Sequence, residues 1–140
     1  MQASDVMTAN PQVAKPTDTV ADVAKRMSRV EVGAIPVVDG EEIVGLVTDR
    51  DIVLRVVGEN RSFDTQVKDV MTAPVLTCPA DASVADIIFQ MSDKQVRRIL
   101  VVDDKGRLNG IISLGDVAQE ASARKAGAVL EEMSEAPANN

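Results

Sequence analysis

Apolar residues along the chain recur first at helical spacing and then in short unbroken runs, and the same succession is met twice. Val20, Val23, Ala24 and Met27, and later Val84, Ile87, Ile88 and Met91, follow the i, i+3, i+4, i+7 rule of an amphipathic helix, which predicts helices over residues 19–29 and 83–94. Each is followed by two β-branched runs, AIPVVD then IVGLVT and RILVVD then LNGIIS, parted by turns rich in glycine and acid. A short extended stretch at residues 11–14, and again at 75–77, meets a proline turn ahead of each helix. A further helix starts after Thr48, carrying Ile52, Val53 and Val56, and another after Ser113, carrying Val117, Ala121, Ala123 and Ala126. The pattern is β-α-β-β-α, twice: an α/β (α+β) fold of two small three-stranded sheets covered by helices. The last helix runs on through GAVLEEM, and SEAPANN reads as a frayed tail.

The two copies are related residue by residue. DVMTA at residues 5–9 returns at 69–73, and VAD, MS and VVD return at the same offset of 64, with 15 identities in the 35 pairs that start at Asp5 and end at Asp39. An insertion near Asp104 moves the offset to 65, so that Gly45 to Asp51 (GLVTDRD) faces Gly110 to Asp116 (GIISLGD). The expected organisation is a first repeat at 5–58, a connector at 59–68, a second repeat at 69–126, and a helix end and tail at 127–140.

Composition removes several functions. The chain of 140 residues has no His, Trp or Tyr, two Phe and one Cys. It therefore has no histidine-based nucleophile pair, no histidine-ligated metal and no internal disulfide, and no catalytic or metal residues are assigned. Cys78, followed by a proline, reads as a small space-filler rather than a reactive thiol. With 22 acidic against 15 basic side chains, and an excess of acid in both halves, nothing offers a phosphate backbone a basic face, so no nucleic-acid partner is expected. The first ten residues lack the charged and apolar regions of a signal peptide and no apolar run approaches a membrane span, which points to a cytoplasmic protein with no membrane partner.

The duplicated DVMT (5–8; 69–72), GAIPVVD (33–39) with its degenerate partner RRILVVD (97–103), and GLVTDRDI (45–52) with GIISLGDV (110–117) resemble the CBS domain, named after cystathionine β-synthase, and the tandem resembles a Bateman module. The resemblance implies two intertwined repeats about a pseudo-twofold axis, two clefts between them, and often a disc-shaped homodimer. It also implies adenosine-nucleotide sensing, with AMP, ADP, ATP or S-adenosylmethionine as the usual ligand.

Thr48-x-x-Asp51 and Ser113-x-x-Asp116 carry two readings. One is a capping box, in which the hydroxyl accepts the amide proton three residues on and the carboxylate reaches back. The other is a ligand site. A helix start presents free N–H groups and a positive dipole end to phosphate, and an ionised Asp can accept two hydrogen bonds from a ribose diol. The resemblance assigns phosphate to the hydroxyl and ribose to the Asp. It also assigns the base to the strand after the first helix and to the first extended stretch. These are Gly33, Ala34, Ile35 and Pro36 with Val13 and Ala14 in copy one, and Arg97, Arg98 and Ile99 with Leu76 and Thr77 in copy two. For Ile35 and Ile99 core packing is the competing role. Arg97 and Arg98 face Gly33 and Ala34 in the alignment, Arg50 faces Gly115, and Leu100 stands where copy one has Pro36. Unequal sites are expected, the favoured one combining Ser113, Asp116 and the Arg97–Arg98 pair as a phosphate clamp. Asp49 and Asp51 beside a phosphate leave room for Mg2+. The acidic turn at 39–42 lacks the ligand spacing of a calcium loop and reads as a solvated hairpin.

The expected function is a regulatory module that binds an adenosine-containing ligand and signals to a separate protein, without catalysis of its own. The competing expectation is a ligand-free scaffold that only dimerises. A homodimer is expected in either case, through the aliphatic stripe of Ile52, Val53 and Val56. Neither Phe63 nor Phe89 is placed to stack on a base, so aliphatic side chains and backbone would have to hold it.

Overall fold

The computed structural model describes the backbone of residues 1–135 and the side chains as far as Arg124. In chain order its elements are α1 (Ala3–Val6), β1 (Thr8–Ala9), α2 (Val20–Val30), β2 (Ala34–Asp39), β3 (Glu42–Thr48), α3 (Asp49–Ile52), β4 (Thr77–Pro79), α4 (Val84–Lys94), β5 (Arg98–Val102), β6 (Leu108–Ser113) and α5 (Leu114–Glu135). The helix through GAVLEEM is thus present as the end of α5, which also takes in Ser134 and Glu135, the first two residues of the expected frayed tail; residues 136–140 lie outside the described residues.

The two amphipathic helices start and stop alike. Thr19 and Ser83 cap them by accepting the amide protons of Asp22 and Asp86 at 3.2 and 3.1 Å. Glu31 and Gln95 end them in the left-handed conformation, at φ 57° and 54°. Val20, Val23 and Met27 face one core and Ile87 and Met91 the other. The buried stripe is narrower than the spacing predicts: Ala24 and Ile88 are exposed.

The β-branched runs form antiparallel hairpins, β2 with β3 and β5 with β6. A third, parallel strand joins each: β4 beside β5, and the single residue Ala14 beside Val37. This is the expected three-stranded unit. A crossing is then added. β1 pairs with β6 of the other repeat, with Thr8 opposite Ile111 and Ala9 opposite Gly110, which makes that sheet four-stranded. Reciprocally, Thr72 bridges to Leu46 of β3.

The crossing extends through the whole segment before each DVMT motif. Val84 donates its amide proton to the Met1 carbonyl (3.0 Å) as Val20 does to that of Thr65 (2.9 Å); Ala3 and Val67 donate to Ala82 and Asp18 at 2.8 Å each. The first two satisfy amides at the N-termini of α4 and α2, and the last two use carbonyls just ahead of those helices. Ala3, Val6 and Met7 pack into the second core with Ile87, Met91, Ile99 and Ile112. Val67, Val70 and Met71 pack into the first with Val23, Ile35, Val47 and Val56. Ala34 and Leu46 meet Leu100 in a third cluster that joins the repeats. Cys78 is buried in the second core, where burial pushes its thiol above the ordinary range, as suits a space-filler.

The helix after Thr48 differs from its expected form. It opens as α3 and widens into a π-helical turn at Val53–Val57, in which Gly58 donates to the Val53 carbonyl at 2.8 Å. A Cβ on Gly58 would lie 2.7 Å from the Leu54 carbonyl, so glycine permits the close turn. Val56 is buried and Ile52 packs partly on the core, whereas Val53, Leu54 and Val57 are exposed. The free aliphatic stripe is therefore the last three, and not Ile52, Val53 and Val56. On α5, Val117 is buried but Ala121 and Ala123 face outward.

Candidate functional site

Two clefts open between the repeats, and each draws on both. The first, of about 640 Å3, is lined by Thr48, Asp49, Arg50, Asp51 and Arg55 from one side, and by Thr72, Leu76, Gln95, Val96, Arg97 and Arg98 from the other. The second, of about 530 Å3, places Ser113, Asp116, Ile111 and Arg98 opposite Thr8, Asn10, Gln12, Glu31, Gly33 and Ala34. Both volumes suit a nucleoside-sized ligand.

This arrangement corrects the expected grouping. Arg97 faces Thr48 and Asp51, not Ser113 and Asp116; only Arg98 reaches both clefts. The reason is topological. The two hairpins pack on each other about the pseudo-twofold axis, so the helix start of one repeat meets the strand start of the other.

The remaining candidates divide between cleft and core. Leu76 and Arg50 line the first cleft. Ile35 and Ile99 are fully buried core residues. Ala14 is buried too, donating its amide proton to the Pro36 carbonyl at 2.9 Å, and Pro36 lies within β2. Val13 is exposed and its carbonyl accepts the Arg26 guanidinium at 2.6 Å. Thr77 lines a different hollow of about 890 Å3, between the hairpin turns that carry Glu41 and Arg107. Gly115 is exposed beside the Ser113 hydroxyl and lines neither cleft. Phe63 and Phe89, at 67% and 70% exposure, lie outside both clefts.

Both [Thr/Ser]-x-x-Asp motifs form capping boxes. Thr48 Oγ1 accepts the Asp51 amide proton and Asp51 Oδ2 accepts that of Thr48, each at 3.0 Å. Ser113 and Asp116 repeat both bonds at 3.0 Å. The carboxylates nevertheless differ in what else they hold. Asp51, only 8% exposed, also accepts the Thr72 hydroxyl proton at 3.1 Å, and Arg55 lies 3.8 Å away. Arg55 in turn donates to the carbonyls of Val70 and Met71 at 2.9 and 3.0 Å, fastening the second DVMT motif to this cleft. Among the described residues, Asp116 accepts from Ser113 alone.

Thr72, Arg55, Glu31 and Gln95 were not foreseen. A signal existed for two of them: Thr72 closes the duplicated DVMT motif, and Arg55 follows Asp51 by one helical turn. Glu31 and Gln95 carry none, because nothing in their spacing shows that a helix ends there in the left-handed region. Thr72→Val is expected to destabilise the fold by roughly 1.5–3 kcal/mol, since it removes a hydrogen bond to a nearly buried carboxylate. Urea denaturation would check this, and Thr8→Val is expected to cost well under half as much.

The duplicated motifs, crossed strands and paired capping boxes coincide with one known family. The CBS domain family model matches residues 3–58 and 67–123. The chain belongs to the CBS domain family. YlbB, an uncharacterized protein of Bacillus subtilis (strain 168), is 41% identical over 134 residues, which span 94% of this chain and 90% of YlbB. An inosine-5'-monophosphate dehydrogenase of Methanocaldococcus jannaschii (strain ATCC 43067 / DSM 2661 / JAL-1 / JCM 10045 / NBRC 100440) is 32% identical over 117 residues. These make up 83% of this chain but 23% of that enzyme, so there the CBS pair is one part of a larger protein. Among solved structures, CBSX2 in complex with AMP superposes with a TM-score of 0.73 at 28% identity, covering 89% of this chain and 98% of CBSX2. The CBS domain pair of protein MJ0100, in complex with 5-methylthioadenosine and S-adenosyl-L-methionine, gives 0.78 at 25% identity, covering 85% and 98%. No helix among the described residues of this CBS pair is long and apolar enough to cross a membrane.

Proposed function

We propose that this CBS pair is a regulatory sensor of an adenosine-containing ligand, AMP, ADP, ATP or S-adenosylmethionine, and that it passes occupancy of its clefts to a separate protein in the cytoplasm. The observation that carries the reading is the pair of clefts of nucleoside size, each joining a hydroxyl–carboxylate pair from one repeat to strand-start residues of the other. AMP in CBSX2 and the two adenosine derivatives in MJ0100 support it. A ribose diol would donate two hydrogen bonds to the Asp carboxylate, and the Thr48 or Ser113 hydroxyl, which caps through one lone pair, keeps its proton for a phosphate oxygen. Because each cleft has a wall from either repeat, filling a cleft changes how the two hairpin units meet.

Thermal unfolding with AMP, ADP, ATP, NAD and S-adenosylmethionine, with and without Mg2+, tests this. A true ligand at about 100 times its Kd adds roughly 2.7 kcal/mol of stability. The gain is expected to vanish in the double variant Asp51→Asn, Asp116→Asn, where an amide replaces the charged acceptor yet keeps an oxygen for the cap. No gain with any compound at millimolar concentration would favour the scaffold reading, which has one observation behind it: both carboxylates are already engaged as caps.

The exposed Val53, Leu54 and Val57 supply an aliphatic face suited to a homodimer. Light scattering is expected to give twice the 14.9 kDa chain mass, falling to one chain mass in Leu54→Glu.

A further inference from the structure

The internal duplication lets the two clefts be compared position by position, and most charged positions depart in one direction, Asp49 against Leu114 being the exception. Gln95 in the first cleft corresponds to Glu31 in the second, both at the left-handed end of a helix, and Arg97 corresponds to Gly33. Arg50 corresponds to Gly115, and Arg55 to Glu120, which adjoins Asp116 in a small neighbouring hollow with Asp5. The first cleft has four arginines against two aspartates, a balance of +2. The second has Arg98 against Glu31 and Asp116, a balance of −1. At separations of a few ångströms in a partly enclosed site such differences decide whether a phosphate is drawn in or turned away. The carboxylates differ in the same sense. Asp51 is held by the Thr72 hydroxyl with Arg55 nearby, whereas Asp116 keeps most of its acceptor capacity for a diol.

We infer that the two clefts sort adenosine derivatives by charge. The Asp51 cleft takes the phosphorylated form and is read by arginine. The Asp116 cleft takes a form without phosphate, uncharged or cationic, and is read through its ribose. The pair then reports two metabolites at once, or two states of one. This rests on the adenosine-sensing reading above and adds to it the division of ligands.

Isothermal titration of the full chain with ADP and with adenosine, both without Mg2+, tests the inference. Arg50→Ser with Arg97→Ser is expected to weaken ADP at least tenfold and leave adenosine within twofold; Asp116→Asn is expected to do the reverse. Both arginines are exposed, so the fold should survive, and Arg50→Lys with Arg97→Lys should restore most of the ADP affinity. ADP binding should fall several-fold more than adenosine binding between low and high salt. Conversely, Glu31→Gln with Gly115→Arg should raise ADP stoichiometry from one to two per chain; a stoichiometry that stays at one counts against the inference. If ADP and adenosine both bind but respond equally to both sets of variants, charge sorting is overturned while adenosine sensing stands. If neither binds at millimolar concentration, the sensing reading falls and charge sorting with it.

Discussion

Gly110→Val is expected to lower the unfolding free energy by about 3 kcal/mol, and Gly45→Val by a similar amount, because both glycines are buried under a crossing backbone. The cause is the crossing of the repeats. The Met7–Thr8 backbone runs over Gly110, and a Cβ there would stand 2.9 Å from the Thr8 carbonyl oxygen. At Gly45 the same atom would stand 3.0 Å from the carbonyl oxygen of Thr72. The methionine sulfurs near both positions can swing aside, but a carbonyl paired across a strand cannot move without loosening the pairing of Thr8 with Ile111 or of Thr72 with Leu46. Chemical denaturation would measure the loss. A value below about 1 kcal/mol would mean that the crossed segments are held less tightly than their hydrogen bonds indicate.

Ile99→Ala is expected to cost about 2–5 kcal/mol while changing the affinity for an adenosine ligand by less than threefold. Ile99 is fully buried among Ala3, Cys78, Ile87, Met91, Val101, Ile112 and Val117, so truncation leaves a cavity in the second core and touches neither cleft. The two readouts separate the roles that the sequence left open for this residue. A large loss of affinity with little loss of stability would return Ile99 to the binding site. Because Ile35 occupies the matching place in the first core, Ile35→Ala should behave alike.

The repeat, the helices and the hairpins were legible because their signals are local. A period of 3.6 or 2 is set by residues a few places apart, and Thr19, Ser83, Thr48 and Ser113 each act within three residues. The composition of the clefts was legible only in part: Thr48, Asp51, Ser113 and Asp116 could be picked out by their motif, whereas Thr72, Arg55, Glu31 and Gln95 could not be placed there. Aligning the copies places Arg97 and Arg98 in the same repeat as Ser113 and Asp116, and nothing in one linear sequence shows that the hairpins pack so as to present Arg97 to Asp51. The same holds for the DVMT motif, whose repetition marks it as important while its destination in the opposite repeat depends on long-range pairing. The outward stripe of the helix after Thr48 is hidden from the sequence for a further reason. Its π-helical turn at Val53–Val57 shifts the phase of the side chains, so that a stripe counted at ordinary helical spacing points the wrong residues outward.

The exchange of residues 1–9 and 65–73 has a consequence for how such a molecule can arise. A chain carrying only one repeat would lack the segment that closes its core, and could complete itself only by trading that segment with a second copy. Its folding would then depend on how often copies meet. Joining two such units in one chain makes the encounter intramolecular and frees the fold from dilution. Fusion also lets the halves diverge. Once the partner is always the other half and never an identical copy, the cations of one cleft no longer have to be the cations of its mate.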